Sequence, residues 1–236
     1  MVKRIITTFV FVLAGIVVHA QENNGLATYK VKLANVQDGL QPFLQSLEPV
    51  FDNLTYSLRF TKDQSIYQME KGMGIDDDRQ LEAASIVAGK GVYFYENNGN
   101  LIIQKEFAGD LFLVEPDSAE FGWKILDERK MIGEFECIKA IGVNKGFDNK
   151  ESTVIAWFSP QINIPYGPKE YFGLPGLILE VEDKGIIYYC SSISFREQHI
   201  KKTIQGIRIT EEKLNEYVLQ KASKEFGYKN YGTFLS

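Results

Sequence analysis

Residues 166–179, Tyr-Gly-Pro-Lys-Glu-Tyr-Phe-Gly-Leu-Pro-Gly-Leu-Ile-Leu, constrain the fold more tightly than any other stretch. Glycines 167, 173 and 176 and prolines 168 and 175 crowd into it, and it runs straight into an apolar segment. Leu174-Pro175-Gly176-Leu177 has the composition of a type II turn, in which proline presets φ at the second position and glycine supplies a positive φ at the third. Leu174 is biased towards an extended conformation because it precedes a proline. So many backbone-special residues in one place shape a chain rather than arm it with a reactive side chain. Gly167, Pro168, Gly173, Leu174, Pro175, Gly176, Leu177 and Ile178 are therefore read as a structural motif that opens a strand over 177–182. Period-two alternation then places Leu177, Leu179 and Val181 on one side, with Ile178, Glu180 and Glu182 on the other.

The rest of the chain reads as short strands with a helix near each end. Gly25–Leu33 alternates as a first strand. Leu40, Phe43, Leu44 and Leu47 recur at helical spacing, predicting a helix over 38–48 with Pro42 in its first turn and Pro49 as its stop. Leu54, Tyr56, Leu58 and Phe60 alternate with Thr55, Ser57 and Arg59, the pattern of a half-buried strand. Residues 65–70 form its return. A short helix is expected over 77–86, with Asp76-Asp77-Asp78 capping its start. Strands follow over 91–96 and 101–107 around Asn97-Asn-Gly-Asn100, then over 110–115, 122–127, 131–143 and 153–158. Residues 177–182 and 186–195 form a hairpin around Asp183-Lys-Gly185. Ile204–Ile209 is a last strand, and Thr210 caps a helix running to Phe226. Neighbouring strands joined by short turns pair antiparallel. The expected fold class is α+β: a mainly antiparallel, curved sheet with an early and a C-terminal helix.

Lys3 and Arg4, the apolar run Ile5–Val18 and Val18-His19-Ala20 have the order of a signal peptide, removed after residue 20. Residues 21–236 then form a single domain, with no transmembrane segment after cleavage. The mature chain carries 24 basic and 31 acidic side chains, a net charge of −7. An acidic surface without basic runs excludes nucleic acid as a partner. Cys137 and Cys190 are a candidate disulfide, which export permits and which would contribute about 4 kcal/mol in the chain-entropy model. Nothing in the sequence brings their Cβ atoms together, and two separate buried thiols are the alternative.

No catalytic residue, metal site or cofactor is assigned. His199, the one histidine after residue 20, lies in a charged stretch, and no Gly-x-Ser-x-Gly elbow is present. The Asp76–Asp78 run lacks the glycine and glutamate that a calcium loop needs at its sixth and twelfth positions. Glu134 with Glu136 and Glu180 with Glu182 share strand faces and support, as an alternative reading, a carboxylate-dependent secreted hydrolase. Phe158, Tyr166, Tyr171 and Phe172 flank or occupy the rigid loop and are the candidate ligand- or partner-binding residues, since little entropy is lost when preorganised rings bind. The competing reading is that these rings cover the end of the core.

Gly173-Leu-Pro-Gly-Leu-Ile178 resembles the naming motif of the GLPGLI family, exported proteins of Bacteroidota. The resemblance extends to Trp123-Lys-Ile, Cys137-Ile-Lys-Ala140, Trp157-Phe158 and Tyr166-Gly-Pro168. It implies envelope export, in the periplasm or at the cell surface, and one domain; it carries no activity or catalytic residue. A strongly bent sheet with inward aromatics would resemble the half-barrels of periplasmic lipoprotein carriers. The function expected is a non-enzymatic envelope module that binds an apolar small molecule or an envelope protein.

Overall fold

The computed structural model describes residues 24–34, 41–70, 79–96, 99–116, 121–145, 151–202 and 204–226. The expected signal segment, Asp76-Asp77-Asp78, and the turn residues Asn97 and Asn98 lie outside the described residues. In chain order the elements are β1 (Gly25–Leu33), α1 (Gln41–Phe51), β2 (Thr55–Phe60), β3 (Gln64–Met69), α2 (Arg79–Val87), β4 (Val92–Glu96), β5 (Asn100–Phe107) and β6 (Asp110–Val114). They continue with β7 (Lys124–Ile132), β8 (Phe135–Lys145), β9 (Glu151–Ser159), β10 (Leu177–Asp183), β11 (Ile186–Phe195), β12 (Ile207–Ile209) and α3 (Glu211–Phe226).

The strands form one sheet in the order β12-β6-β5-β4-β3-β2-β1-β11-β10-β9-β8-β7. It is a large, curved, open sheet of α+β type, antiparallel except where β12 runs parallel to β6. β1 sits in the middle and joins the wing β2–β6 to the wing β7–β11. Register shifts at Thr28/Tyr29, at Ile178/Glu180 and between Ile125 and Arg129 insert extra residues, and bulges of this kind bend the strands that carry them.

After β11 the chain crosses β3, β4 and β5 before it reaches the far edge. Gln64 Nε2 donates to the Ile200 carbonyl at 3.2 Å, Lys202 Nζ lies 4.8 Å from the Phe94 ring centroid, and the Gln205 N–H meets Gln104 Oε1 at 3.1 Å. This crossing makes β12 parallel to its neighbour, an arrangement that hairpins cannot produce.

The side of the sheet that carries Tyr29, Tyr56, Tyr67 and Tyr93 holds the main core. It is closed by Leu47 and Phe51 of α1 and by Leu81, Ala84 and Ala88 at α2. A second core forms at the other wing from Ala140, Val154, Ala156, Phe158, Tyr171, Leu174 and Ile178, with Phe121 and Trp123 packed in. Leu214 of α3 packs on Phe112 and Val114, and Thr210 Oγ1 caps α3 by accepting the Lys213 N–H at 3.3 Å.

Four details depart from the sequence reading. α1 continues through Pro49 to Phe51, because Pro49 falls in the last turn, where few helical bonds remain to be lost, and Phe51 is a core residue. The expected 131–143 strand is broken by a turn at Gly133 (φ 58°), so β7 and β8 form a hairpin and Glu134 lies in its turn. The bulge after Ile178 reverses the alternation: Leu177 and Leu179 belong to the main core, whereas Ile178 and Val181 belong to the second. Both sides of the start of β10 are therefore buried, where a polar outer side was expected.

The fourth concerns the cysteines, which are free thiols, Cys137 buried on β8 and Cys190 half-buried on β11. β9 and β10 separate the two strands, and three strand spacings amount to about 14 Å along a sheet, beyond the Cα separation of roughly 7 Å that a bridge tolerates. Burial pushes the Cys190 thiol up to about 12 and the Cys137 thiol up to about 11. A raised thiol pKa keeps the folded form protonated while the unfolded chain ionises. This contribution to stability is complete below pH ~8.5 and lost as pH rises through the folded values. At pH 8 a thiol-specific reagent is expected to label both cysteines only after unfolding. Rapid labelling of either in the native protein would show that the thiol is not held this way.

Candidate functional site

The loop between β9 and β10 is fastened by its own backbone. Ile162 N–H donates to Ser159 C=O at 3.3 Å, Gly173 N–H to Pro165 C=O at 2.9 Å and Ile178 N–H to Tyr166 C=O at 2.9 Å. The expected type II turn is absent. Gly176 N–H instead bonds Leu174 C=O at 2.8 Å, a three-residue γ-turn centred on Pro175, whose ring-locked φ suits it. Glycine is required at 176 for another reason: a Cβ there would lie 2.2 Å from the Ser159 carbonyl oxygen. Gly167 is packed similarly, with Ile178 Cβ 2.8 Å from where its own Cβ would stand. The motif residues thus hold the loop tight against the start of β10.

Phe158, Tyr166 and Tyr171 are buried, which corrects the picture of rings presented on a rigid loop. Phe158 faces the second core beside Ile178. The Tyr166 hydroxyl donates to Lys62 C=O at 3.3 Å and ties the loop to the β2–β3 turn. Tyr171 donates to Asp183 Oδ2 at 2.8 Å. Phe172 is half-buried against Tyr95, ring centroids 4.4 Å apart, and its carbonyl accepts the Trp123 indole N–H at 2.8 Å. They build the loop into the sheet because each aromatic body finds apolar neighbours and each polar tip finds a partner.

What this anchoring positions is Lys169, a residue that sequence reasoning passed over. It occupies the second position of a turn closed by Tyr171 N–H to Pro168 C=O at 3.1 Å, and its φ of 53° is of the kind glycine usually supplies. Its stem passes beneath the C-terminal end of α2, Cε standing 2.6 Å from where a Gly89 Cβ would be. Lys169 Nζ lies 3.3 Å from Glu170 Oε1, 5.2 Å from the Tyr188 ring centroid and 5.6 Å from that of Tyr171. Burial alone pushes the ammonium down. The Glu170 carboxylate, with Tyr188, Tyr171 and Tyr93, outweighs burial and holds it well above the ordinary lysine value. Lys169 is therefore a fixed cation rather than a base or nucleophile.

Around it the main-core tyrosines are neutral donors, since burial raises Tyr29, Tyr56 and Tyr67 well above the usual phenol range. α2 ends in a Schellman arrangement, with Lys90 N–H to Ser85 C=O at 2.8 Å and Gly89 N–H to Ile86 C=O at 3.0 Å. Two further carbonyls at this end are taken from below: Tyr56 donates to Ala88 C=O at 3.4 Å and Tyr93 to Gly89 C=O at 3.0 Å. Tyr29 reaches the Ile178 carbonyl at 2.6 Å. Fixed hydroxyl donors and one charge-balanced cation are groups that can orient a ligand.

Of the carboxylates considered for hydrolysis, Glu134 is in a turn, Glu136 pairs with Arg129 at 2.9 Å, and Glu180 pairs with Lys130 at 2.7 Å, whose Nζ also lies 4.3 Å from the Trp157 ring centroid. Among the described residues no group of His, Cys, Asp and Glu is arranged to hold a metal ion, and no helix is long and apolar enough to cross a membrane. His199 is exposed beside Glu197. Asp183, read from sequence only as a turn residue, is buried and accepts from Asn144 Nδ2 at 2.7 Å, Ser152 Oγ at 2.8 Å and Tyr171. A lone acid and a lone lysine carry no sequence signal of burial; only adjacency to the glycine-proline stretch pointed near them.

Residues 144–180 match a family described as "Protein of unknown function (Porph_ging)", a segment that includes β9, the fastened loop and the Gly173–Ile178 motif. No curated protein matches the chain. Among solved structures the fold is similar to PNGF-II in two crystal forms, each with a TM-score of 0.56, at 11% and 12% identity, covering 83% of this chain. The likeness takes in 32% and 33% of the PNGF-II chain, so this protein spans about a third of that length. A LolA superfamily protein of Nitrosomonas europaea, NE2245, aligns with a TM-score of 0.30 at 8% identity, over 75% of this chain and 88% of that one. The chain thus shares its sheet architecture with part of PNGF-II, and its motif segment with a family whose description assigns no activity.

Proposed function

We propose that the chain is an exported cell-envelope protein of the GLPGLI group that acts as a non-enzymatic binding module for an apolar ligand, received on the tyrosine-bearing side of the sheet. The observation that carries this reading is the way that side is closed. Two short helices in mutual contact cover a row of tyrosine rings, and α2 meets the row at its C-terminal end through hydroxyl-to-carbonyl bonds, one of them stretched to 3.4 Å. The outer faces of the two helices carry Phe43 and Ile86, 42% and 58% exposed. The cover is held by the apolar packing of Leu47, Phe51, Leu81, Ala84 and Ala88 together with neutral hydrogen bonds worth about 1 kcal/mol each, contacts of the kind that an apolar ligand can replace. Lys169, already balanced by Glu170, keeps the floor rigid without adding reactivity.

Titration of the mature protein with Nile red tests the reading. A saturable 1:1 fluorescence increase is expected, with several-fold faster association in Tyr56→Phe/Tyr93→Phe, where the α2 end is released. A folded protein that leaves the probe dark would sink the proposal. If native envelope extracts yield a bound protein and no lipid, the apolar-ligand reading gives way to a protein partner.

A further inference from the structure

Tyr67 stands at the centre of the tyrosine row, 1% exposed, and among the described residues its hydroxyl has no hydrogen-bond partner. Its ring stacks on Tyr56 with centroids 5.2 Å apart and planes within 2°, and meets the rings of Tyr29 and Tyr93 edge-on at 6.0 and 5.9 Å. Each of those three neighbours donates to a main-chain carbonyl, those of Ala88, Ile178 and Gly89. Tyr67 is the one ring of this group whose donor is unspent. A buried hydroxyl left unpaired is costly, and such groups are few in folded proteins.

Charge decides what it can take. Among the described residues the cation that acts on Tyr67 is Lys169, and the Glu170 carboxylate, 3.3 Å from the Lys169 ammonium, already balances it. A carboxylate or phosphate brought beside Tyr67 would be buried without a counter-charge, which is strongly unfavourable. A neutral carbonyl oxygen meets no such barrier, and it is the acceptor that all three neighbouring hydroxyls already hold. We propose that Tyr67 is the head-group donor of the site and selects a neutral acyl compound, hydrogen-bonding the carbonyl of an ester or amide rather than a free acid. The ligand carbonyl enters where the α2 end now lies and takes the same kind of bond as the Ala88 and Gly89 carbonyls. Burial keeps the phenol protonated, so it remains a donor at neutral and mildly alkaline pH.

This inference rests on the tyrosine side being a ligand surface, and the experiment separates the two. Monoolein and oleate, which share a chain and differ in head group, compete with Nile red at pH 8 on the mature protein and on Tyr67→Phe. The wild type is expected to release the dye at about tenfold lower monoolein than oleate, and Tyr67→Phe to lose that preference five- to tenfold with oleate unchanged. Tyr67→Phe is also expected to melt at or above the wild-type temperature, because it removes an unpaired buried hydroxyl. Equal displacement by both lipids, or a preference unchanged in Tyr67→Phe, overturns the head-group assignment and leaves the binding module standing. A lower melting temperature in Tyr67→Phe shows the hydroxyl bonded within the folded protein and overturns it as well. Failure of Nile red to bind the wild type removes the underlying reading itself.

Discussion

Gly176→Ala is expected to cost about 3 kcal/mol, the upper part of the usual range for forcing an atom into a packed site. The added Cβ would lie 2.2 Å from the Ser159 carbonyl oxygen, 2.6 Å from its carbon and 2.9 Å from the Pro160 nitrogen. All three are backbone atoms at the end of β9, and Ser159 is the register partner of Leu177. No rotamer change relieves the clash; the β9–β10 pairing or the γ-turn at Pro175 must shift. Gly133→Ala is the control, since its φ of 58° also favours glycine but no atom lies within 4 Å of the new Cβ. That variant should lose only about 1 kcal/mol, the cost of a left-handed backbone for alanine. Urea unfolding midpoints compare the two directly. Equal losses would mean that backbone conformation, not the approach of Ser159, demands glycine at 176.

Asp183→Ala should lose about 3 kcal/mol or more, because a charged acceptor with several donors disappears and its partners are left unpaired. The carboxylate is 5% exposed and gathers Asn144 of β8, Ser152 of β9 and Tyr171 of the loop. Asn144 and Ser152 face each other in register, so one side chain knots three strands to the segment that carries Lys169. Asp183→Asn should recover little, because its amide presents donors to donors. Tyr171→Phe should lose about 1 kcal/mol, since two donors to the carboxylate remain. Thermal melts of the three variants give the order Asp183→Ala, then Asp183→Asn, then Tyr171→Phe. An Asp183→Ala protein that melts with the wild type would show the knot to be without consequence.

Much of the sheet was legible in the residues because strand alternation and turn chemistry are local. Tyr56, Leu58 and Phe60 alternate into the core as expected, and β1 has the limits its pattern implied. The hairpin of β10 and β11 follows from Asp183-Lys-Gly185. What failed were inferences that carried a local rule past a non-local contact. Pro49 does not stop α1, because Phe51 beyond it has a core to enter. Alternation in β10 breaks at the bulge after Ile178, and no residue there announces a bulge. The rings of Phe158, Tyr166 and Tyr171 resembled a presented surface, but Phe158 and Tyr171 enter the second core beside Phe121 and Trp123, and Tyr166 enters the main core.

The glycine-proline stretch shows where the division lies. By itself the sequence determined that residues 166–179 form a rigid, special-backbone loop that releases into a strand, since proline and glycine restrict φ wherever they stand. It equally determined the antiparallel, tyrosine-rich character of the chain, through period-two patterns and short turns. Only the tertiary structure decided that Gly176 is needed for the passage of Ser159, that Lys169 is drawn beneath α2 among tyrosine rings, and that Tyr67 is left with a free donor among satisfied ones. The physical reason is that conformational restriction is a property of a residue, whereas close approach, burial and hydrogen-bond satisfaction belong to pairs of residues far apart in the chain.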